Sequence, residues 1–218
     1  MSTEKQFDTS APFRLRRNKH QASYSRTEIY DVLDQKAICN LSVVIEGNPI
    51  TVPTLFARRA DEILIHGSTA SSVINQAVSI GHGIITVTHI DAIVLPDSIF
   101  EHSLDYRSVL ISGSTRAITE PAEKLAALKY ISESVLPRRY ATVREPNANE
   151  LRQTSVMVLA IDQAVLKSST TNGMEIDSTS VWTGHLNLEP HQVRVLPSPS
   201  WSGAELPFNP VEMARKFL

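Results

Sequence analysis

The chain is poor in the residues that mark several large classes of protein. It contains one cysteine, Cys39, so it cannot form an intrachain disulfide, which fits the reducing cytosol. Cys39 stands inside the apolar run KAICNLSVV, where a small buried residue is a better interpretation than a reactive thiol. The disulfide-rich secreted domains are therefore excluded.

The chain also lacks an excess of charge and a long hydrophobic run. Its 21 basic and 23 acidic residues give a formal net charge of -2, which argues against a nucleic-acid partner held by bulk charge. No run approaches the roughly 20 apolar residues of a membrane span. The polar N-terminus MSTEKQFDTSAPF has no apolar core of the kind found in signal peptides. The sequence predicts a cytoplasmic protein without a membrane or nucleic-acid partner.

Standard catalytic and metal motifs are missing as well. The sequence contains no GxGxxG, GxxxxGK[ST], HExxH or GxSxG. His82, His89 and His102 do not have i, i+3 or i, i+4 spacing, and no cysteine pair could complete a soft site, so no metal is expected. Function has to be argued from less regular polar clusters.

The sequence does contain many β-branched runs bounded by turn residues. Short connections between such runs favour pairing of consecutive strands, and closure of the sheet removes its edges. We predict a mainly β fold with some α-helix, a closed antiparallel barrel of six or so strands decorated by helices, with an open α+β sandwich as the alternative. The predicted strands are AICNLSVVI, ITVPTLFAR and ILIHG, which form a meander through the turns EGNP and RADE, then GIITVTHIDAIVL, YRSVLISGSTRAITE and SVMVLAIDQAVLK.

Three segments carry helix signals. SRTEIYDVLDQ begins with Ser25 three residues before Glu28, a capping-box pattern. SSVINQAVSIG ends at Gly81, a residue typical of helix C-termini. PAEKLAALKYISESVL begins with Pro121, and its predicted apolar face consists of Leu125, Leu128, Ile131 and Val135.

The stretch ILIHGSTASS, residues 63–72, is the most informative local pattern. An apolar strand runs into His66 and Gly67 and then into small hydroxyl side chains, just before the second predicted helix. Free N–H groups and hydroxyls at the start of a helix favour an anion such as phosphate. The alternative is that Ser68 is simply the N-cap of this helix and the other hydroxyls are surface groups.

Two stretches, TVPTLFARRADEILIHGSTASS and IFEHSLDYRSVLISG, resemble the FMN-binding split-barrel family related to pyridoxamine 5′-phosphate oxidase. The similarity is strongest to the branch of nitroimidazole-reductase-like flavoproteins. It continues through EKLAALKYISESVLPRRYATVREPNANEL and WTGHL and so covers roughly residues 13–190. The resemblance implies a six-stranded antiparallel split β-barrel and a homodimer with one FMN in each of two clefts at the interface. Residues 1–12 are then expected to be disordered, and 191–218 to form a Pro-rich extension.

The resemblance also implies which residues contact the cofactor. Three residues of the second strand would lie beside the isoalloxazine ring, and residues 66–72 would surround the ribityl phosphate. His66 would be the candidate proton donor, and Trp182 would border the flavin. The complete expected set is Arg17, Val52, Pro53, Thr54, His66, Gly67, Ser68, Thr69, Ser71, Ser72, Arg107, Ser108 and Trp182.

Departures from the family pattern bear on the reaction. The oxidases have Ser-Arg-Lys at the phosphate turn, whereas this chain has Ala70-Ser71-Ser72, so Arg17, Arg107 or backbone dipoles must meet the phosphate charge. The Arg-x-His motif that grips the oxidase substrate is replaced by LNLEPHQVRV, so oxidation of pyridoxamine 5′-phosphate is not expected.

The resulting hypothesis is an FMN-dependent oxidoreductase that transfers hydride or electrons between FMN and a small organic substrate. FMN is expected rather than FAD because no dinucleotide fingerprint is present. A non-catalytic flavin carrier or sensor module is the alternative from another class. A haem-binding split barrel is a third.

Overall fold

The computed structural model describes residues 5–7, 10, 13–171, 182–188, 209, 211 and 215–217. This part of the chain forms nine strands, four α-helices and three short 3-10 turns. The strands are β1 Ala22–Ser23, β2 Ile38–Ile45, β3 Asn48–Arg59, β4 Glu62–Ser68, β5 His82–Leu95, β6 Ser103–Ala117, β7 Thr154–Ala160, β8 Gln163–Ser169 and β9 Gly184–Asn187. The helices are α1 Arg26–Asp34, α2 Ser72–Ile80, α3 Pro121–Val135 and α4 Ala148–Gln153, and the 3-10 turns are Lys19–Gln21, Ile99–Glu101 and Tyr140–Thr142.

Six of the strands close into a ring. Their order is β6, β7, β4, β3, β2 and β5, with β5 pairing back to β6, and every neighbouring pair is antiparallel. The other three strands extend the sheet outside the ring, because β8 pairs with β6, β1 with β8, and β9 with β5. The predicted mainly β fold, a six-stranded antiparallel split β-barrel decorated by helices, is confirmed.

The predicted meander is present as β2, β3 and β4. Glu46 and Gly47 join β2 to β3 with φ values of 49° and 79°, which is the backbone that a two-residue hairpin turn requires. Ala60 has a φ of 52° in the turn between β3 and β4. These turns set the register in which the alternate apolar residues of the three strands face the barrel interior.

The segment predicted as one strand, SVMVLAIDQAVLK, is divided into β7 and β8. Both strands run antiparallel to β6, but the register shifts by one residue between the pair Thr115–Leu159 and the pair Ser112–Gln163. This shift is a β-bulge. It is held by Asp162, whose Oδ2 accepts a 2.7 Å hydrogen bond from the backbone N–H of Ser114. The bulge turns β7 away to pair with β4, which closes the barrel.

The helix predictions hold with small corrections. The Ser25 hydroxyl caps α1 by accepting from the Glu28 N–H, and Gly81 ends α2 with a φ of 67°. Pro121 is the first residue of α3 as predicted, but the buried face is Ala127, Ile131 and Val135, while Leu125 is only partly buried. Neither α4 nor β9 was predicted from the sequence.

The core has two parts. The barrel interior is filled by residues of every ring strand and by one face each of α1 and α2. A smaller cluster lies between α3 and the outer surface of β3, β4 and β7. Cys39 is buried in the interior, where burial raises the pKa of its thiol to about 12. This agrees with its interpretation as a structural residue.

Residues near both ends of the chain contact the barrel domain. Phe7 is buried in the barrel core and its N–H donates to the Tyr24 carbonyl, although the sequence predicted disorder before residue 13. The Lys216 carbonyl accepts from the Ala37 N–H, at the connection between α1 and β2. None of the described helices is long and apolar enough to cross a membrane.

Candidate functional site

A cleft begins where β3 loses one of its neighbours. Residues 48–55 of β3 pair with β2 on one side, whereas β4 pairs only with Phe56–Arg59 on the other. Among the described residues, no strand lies opposite the second edge of β3 at Val52–Thr54. Pro53 is exposed there, and Val52 and Thr54 are half-buried. Phe56 donates its N–H toward β2, to the Ala37 carbonyl, so Val52 and Thr54 also direct their backbone groups to β2 and the outward group at this edge is the Pro53 carbonyl.

The turn after β4 lies beside that open edge. The last pair of β3 and β4 is Phe56–Ile65, and one further step in the same direction along both strands leads to Leu55 and His66. At the next position, Thr54 and Gly67, β3 and β4 are no longer paired, and β4 continues as the neighbour of β7. Residues 52–54 and 66–68, which are 12 or more positions apart in sequence, therefore flank one opening.

In the hydroxyl cluster after β4, some groups form hydrogen bonds within the chain and others are free to bind a ligand. Ser71 is the N-cap of α2, because its Oγ accepts a 3.4 Å hydrogen bond from the Ile74 N–H. The Ser68 Oγ accepts instead from the Ala70 N–H at 3.1 Å. The interpretation of Ser68 as the helix N-cap is therefore wrong. Thr69 and Ser72 are exposed, and within the described chain the Ser72 and Val73 N–H groups have no hydrogen-bond partner.

The turn is fixed from two sides. The Thr69 N–H donates to the Gln153 carbonyl at 3.0 Å, and Asn75 Nδ2 donates to the Thr69 carbonyl at 2.9 Å. Gly67 allows close packing, since a Cβ there would lie 2.6 Å from Cδ1 of Ile74 and the end of that side chain would have to move aside. The N-terminus of α2 is thus held against the end of β4 with its free N–H groups outward, which is the arrangement that favours an anion.

His66 is the one described residue with a buried side-chain polar atom that has no partner. Its Nδ1 is buried without a hydrogen bond to any described group. Burial lowers the pKa of the imidazole below its usual value, so the ring is neutral at pH 7. A buried nitrogen without a partner is costly unless a ligand or water completes it. This atom is an observation in favour of a ligand at the turn.

Arg107 is committed to a network on the other side of the barrel. Its Nε and Nη2 donate to the two carboxylate oxygens of Asp91 at 3.0 and 2.8 Å, and its Nη1 donates to Gln35 at 3.1 Å. Its Nη2 also donates to Nδ1 of His89 at 3.3 Å, while Nε2 of His89 donates to the Val32 carbonyl. Burial and the Arg107 charge lower the pKa of His89 to about 4.

A family model described as pyridoxamine 5′-phosphate oxidase matches residues 25–168. The chain belongs to this family. The matched region runs from the N-cap of α1 to the penultimate residue of β8, so it contains all six strands of the barrel ring. The resemblance found in the sequence is therefore confirmed at the level of the family.

Solved structures with the same fold extend this result. The chain is 31% identical to the FAD and heme binding protein from Mycobacterium smegmatis, covering 86% of this chain and 94% of that one with a TM-score of 0.77. The flavocytochrome Anf3 from Azotobacter vinelandii is 23% identical over 92% of this chain and 94% of that one, with a TM-score of 0.81. No curated protein matches the chain.

A third solved structure also shares the fold. It is a candidate 5-nitroimidazole antibiotic resistance protein from Bacteroides thetaiotaomicron, 20% identical, with a TM-score of 0.57. The match covers 67% of this chain and 85% of that one. At these identities the Azotobacter and Bacteroides structures bear on the fold alone.

The family fold brings only part of the expected site together in one chain. Ala117, at the end of β6, pairs with Met157, and Met157 is next to Val156, the partner of His66. Arg107 is ten residues before Ala117 in β6, so about 33 Å of strand separates Arg107 from Ala117. Ser108 is beside Arg107, and its hydroxyl is 3.3 Å from that of Thr88. Arg17 is exposed before β1, and Trp182 is exposed before β9, with its ring against Gly184.

Two cations near the turn were missed in the sequence. Lys124 of α3 donates through Nζ to the carbonyls of Leu151 and Thr154, at 3.3 and 2.9 Å. It also lines a cavity of about 340 Å³ together with residues of α2, the end of β6 and β7. Arg152 stands next to Gln153, whose carbonyl holds the turn. Lys124 lies in the predicted α3, but its contacts with Leu151 and Thr154 and the position of Arg152 depend on α4, which was not predicted.

Proposed function

We propose that the chain binds a flavin in the cleft beside β3 and works as an oxidoreductase on a small organic substrate. The observation that carries this proposal is the open edge of Val52–Thr54 next to the free N-terminus of α2. The Pro53 carbonyl can accept a hydrogen bond from the N–H at the polar edge of a flavin ring, and helix N–H groups suit its phosphate. When bound, a flavin supplies the centre that accepts and returns hydride or electrons.

The residues of the cleft have separate roles in this proposal. The N–H groups of Ser72 and Val73 and the hydroxyls of Thr69, Ser71 and Ser72 hold phosphate oxygens, and Ser71 donates its O–H while its Oγ accepts from the Ile74 N–H. Lys124 and Arg152 contribute positive potential within the chain, although Lys124 already serves two carbonyls. His66 is neutral and offers its buried Nδ1 for a hydrogen bond to the ligand. Its lowered pKa makes it a hydrogen-bonding group first and a proton donor only at acidic pH.

We expect the protein to purify with a bound flavin, and we propose FMN. A short turn with two free N–H groups fits a terminal phosphate, and the chain has no dinucleotide fingerprint. Mass spectrometry of the ligand released by heat distinguishes FMN from FAD. A protein that takes up neither flavin after reconstitution would contradict the proposal.

A second candidate is a flavoprotein that binds FAD together with haem. The observation in its favour is the 31% identity to the Mycobacterium smegmatis protein, described as binding both groups. Of the described histidines, His82, His89 and His185 use ring nitrogens in hydrogen bonds, whereas His102 is exposed beside Ile99 and Phe100. An absorption spectrum after reconstitution with haem separates the candidates, because only the second gives a Soret band alongside the flavin bands.

A non-catalytic flavin module remains the alternative within the flavin proposal. We expect the reconstituted flavin to be reduced by a nicotinamide cofactor under anaerobic conditions and reoxidised by an organic acceptor. Bleaching of the flavin absorbance followed by its return on adding the acceptor is the measurement. A flavin that dithionite reduces but that no nicotinamide cofactor reduces would favour the carrier or sensor.

We also propose a homodimer with flavin at the interface. Arg17, Arg107 and Trp182 are separated from the α2 turn within one chain, and a second copy would be needed to bring them near it. An apolar face is available on β5, β6 and β9, where Leu104 and Leu186 both pair opposite Ile93. The exposed apolar residues of this face are Ile90, Leu104, Leu186 and Leu188, each 40–48% exposed.

We expect light scattering to give twice the chain mass, with Leu104→Glu shifting the protein toward a monomer. A charge placed in an interface of roughly 2,000 Å² is desolvated without a partner and weakens association by several kcal/mol. Val143→Glu is the matched control, since Val143 is exposed to a similar extent and directly follows the 3-10 turn Tyr140–Thr142, which contacts α3. A wild-type monomer with full flavin occupancy would contradict the dimer.

A further inference from the structure

A second cavity lies between the N-terminal segment and β1. Its volume is about 490 Å³, within the range of roughly 300–1,000 Å³ typical of small-molecule sites. β1 pairs with β8 at Lys167, at the end of β8 farthest from β7. The cavity and the turn that begins α2 therefore lie at opposite ends of the path formed by β7 and β8. The lining residues are Arg14, Leu15, Arg16, Lys19, Ala22 and Tyr24.

The charged lining of this cavity is entirely positive. Arg14, Arg16 and Lys19 are exposed, and none of them forms an ion pair with another described residue. No acidic residue occurs between Ser10 and Ser25 in the sequence. In a chain with a net charge of -2, three such cations in one concavity create a local positive potential that favours an anionic ligand.

A fourth cation stands on the neighbouring strand. Lys167 of β8 is directly opposite Ala22 of β1, and side chains of directly opposite residues project from the same face of a sheet. The Lys167 Nζ lies 5.4 Å from the centre of the Tyr106 ring. Lys167 does not line the cavity itself, but it adds a positive charge on the same face of the sheet as Ala22.

The remaining lining is apolar or aromatic. Leu15 and Tyr24 are half-buried, and the Tyr24 hydroxyl accepts a 3.3 Å hydrogen bond from the Leu15 N–H. This bond ties the N-terminal segment to β1 and shapes the wall. Arginine guanidinium groups bind phosphate in a bidentate manner, and a tyrosine ring offers a face to a planar base.

We propose that this cavity binds a nucleoside diphosphate group, with its phosphates on Arg14, Arg16 and Lys19 and its base against Leu15 and Tyr24. A single phosphate would leave part of the positive lining unneutralised, whereas a diphosphate can pair with several of the cations at once. The group can come from a free nucleotide, from a nicotinamide dinucleotide, or from the adenylate half of FAD. The proposal does not require a flavin in the cleft beside β3, and a bound flavin matters only where the group is the adenylate half of FAD.

Isothermal titration of ADP into the full chain tests the proposal. We expect saturable binding to the wild type and at least about a tenfold loss of affinity in Arg14→Gln/Arg16→Gln, since each charge-assisted hydrogen bond accounts for a factor of ten or more. Lys129→Gln/Arg138→Gln removes the same charge from an exposed surface elsewhere and should bind ADP like the wild type. Melting temperatures of both variants check that they fold.

Competition identifies the source of the group. Displacement of ADP by NADPH indicates a dinucleotide site, and loss of ADP binding only in FAD-loaded protein indicates the adenylate of FAD. Both results retain the proposal. It is overturned if ADP does not bind the wild type saturably, or if both double variants bind it equally well. It is also overturned if a short single-stranded RNA binds through Arg14 and Arg16 and ADP does not displace it.

Discussion

Replacing Gly113 by alanine is expected to destabilise the protein severely. Gly113 lies in β6 where the bulge between β7 and β8 passes over it, and an added Cβ would be 1.6 Å from the Ala160 carbonyl oxygen. The obstacle is backbone, which cannot rotate away as a side chain can. Relief requires separation of β6 from β7, so we expect a loss of at least about 3 kcal/mol, at the upper end of overpacking effects.

The measurement is the melting temperature at fixed protein concentration without flavin. For a chain of this size, 3 kcal/mol corresponds to a decrease of roughly 6–12 °C. Gly83→Ala is the matched control, because Gly83 pairs directly with Gly113 but its Cβ would meet only side chains, at 3.1 Å from Leu159 and 3.3 Å from Thr115. Equal melting temperatures for the two variants would show that the bulge does not constrain the barrel.

Local signals predicted those parts of the fold that local interactions decide. Ser25, Gly81 and Pro121 mark helix ends through contacts within one turn of chain, and all three are found where expected. The bulge was missed because the residues of β7 and β8 form one nearly continuous apolar run. What divides it is the hydrogen bond from Ser114 to Asp162, a contact between residues 48 positions apart.

The other wrong predictions concern the N-cap of α2, the buried face of α3 and the missing strand β9. Residues 68–72 offer several possible N-caps, and the choice of Ser71 depends on Ser68 still being paired with Thr154 in β4. On α3, the face turned to β3, β4 and β7 passes through Ala127, Ile131 and Val135, which leaves Leu125 only partly buried. β9 is four residues long, and its pairing with β5 spans about 90 positions of sequence.

The candidate site likewise has a part that could be predicted from the sequence and a part that could not. Val52–Thr54 and the turn after β4 come from adjacent strands of a meander, so their proximity follows from the predicted topology. Arg17, Arg107 and Trp182 were expected from the resemblance alone. In the proposed homodimer their position relative to the cleft would depend on how the second chain packs, and within one chain Arg107 is neutralised by Asp91. The positions of Lys124 and Arg152 beside the turn depend on α4, which was not predicted.

Loss of the Ser71 and Ser72 hydroxyls together is expected to weaken flavin binding by two to four orders of magnitude. Each hydrogen bond to a charged group contributes roughly 1.5–3 kcal/mol, so the pair accounts for about 3–6 kcal/mol at most. The two residues differ in the apo protein. Ser71→Ala also removes the cap of α2 and should cost about 1 kcal/mol of stability, whereas Ser72→Ala removes no described hydrogen bond.

Ser71→Asp separates the two roles of this turn, because aspartate is as good an N-cap as serine but repels phosphate. The apo protein should melt at or above the wild-type temperature, while FMN should bind more weakly than to Ser71→Ala. A residue that served only as a helix cap would show the opposite order, with Ser71→Asp binding FMN as well as the wild type. FMN is titrated into the apo forms of the wild type, Ser71→Ala, Ser72→Ala, Ser71→Asp and the double variant Ser71→Ala/Ser72→Ala, and the melting temperature of each apo form is measured beside it. Equal FMN affinities in all five would mean that the hydroxyl cluster shapes α2 and that any phosphate binds elsewhere.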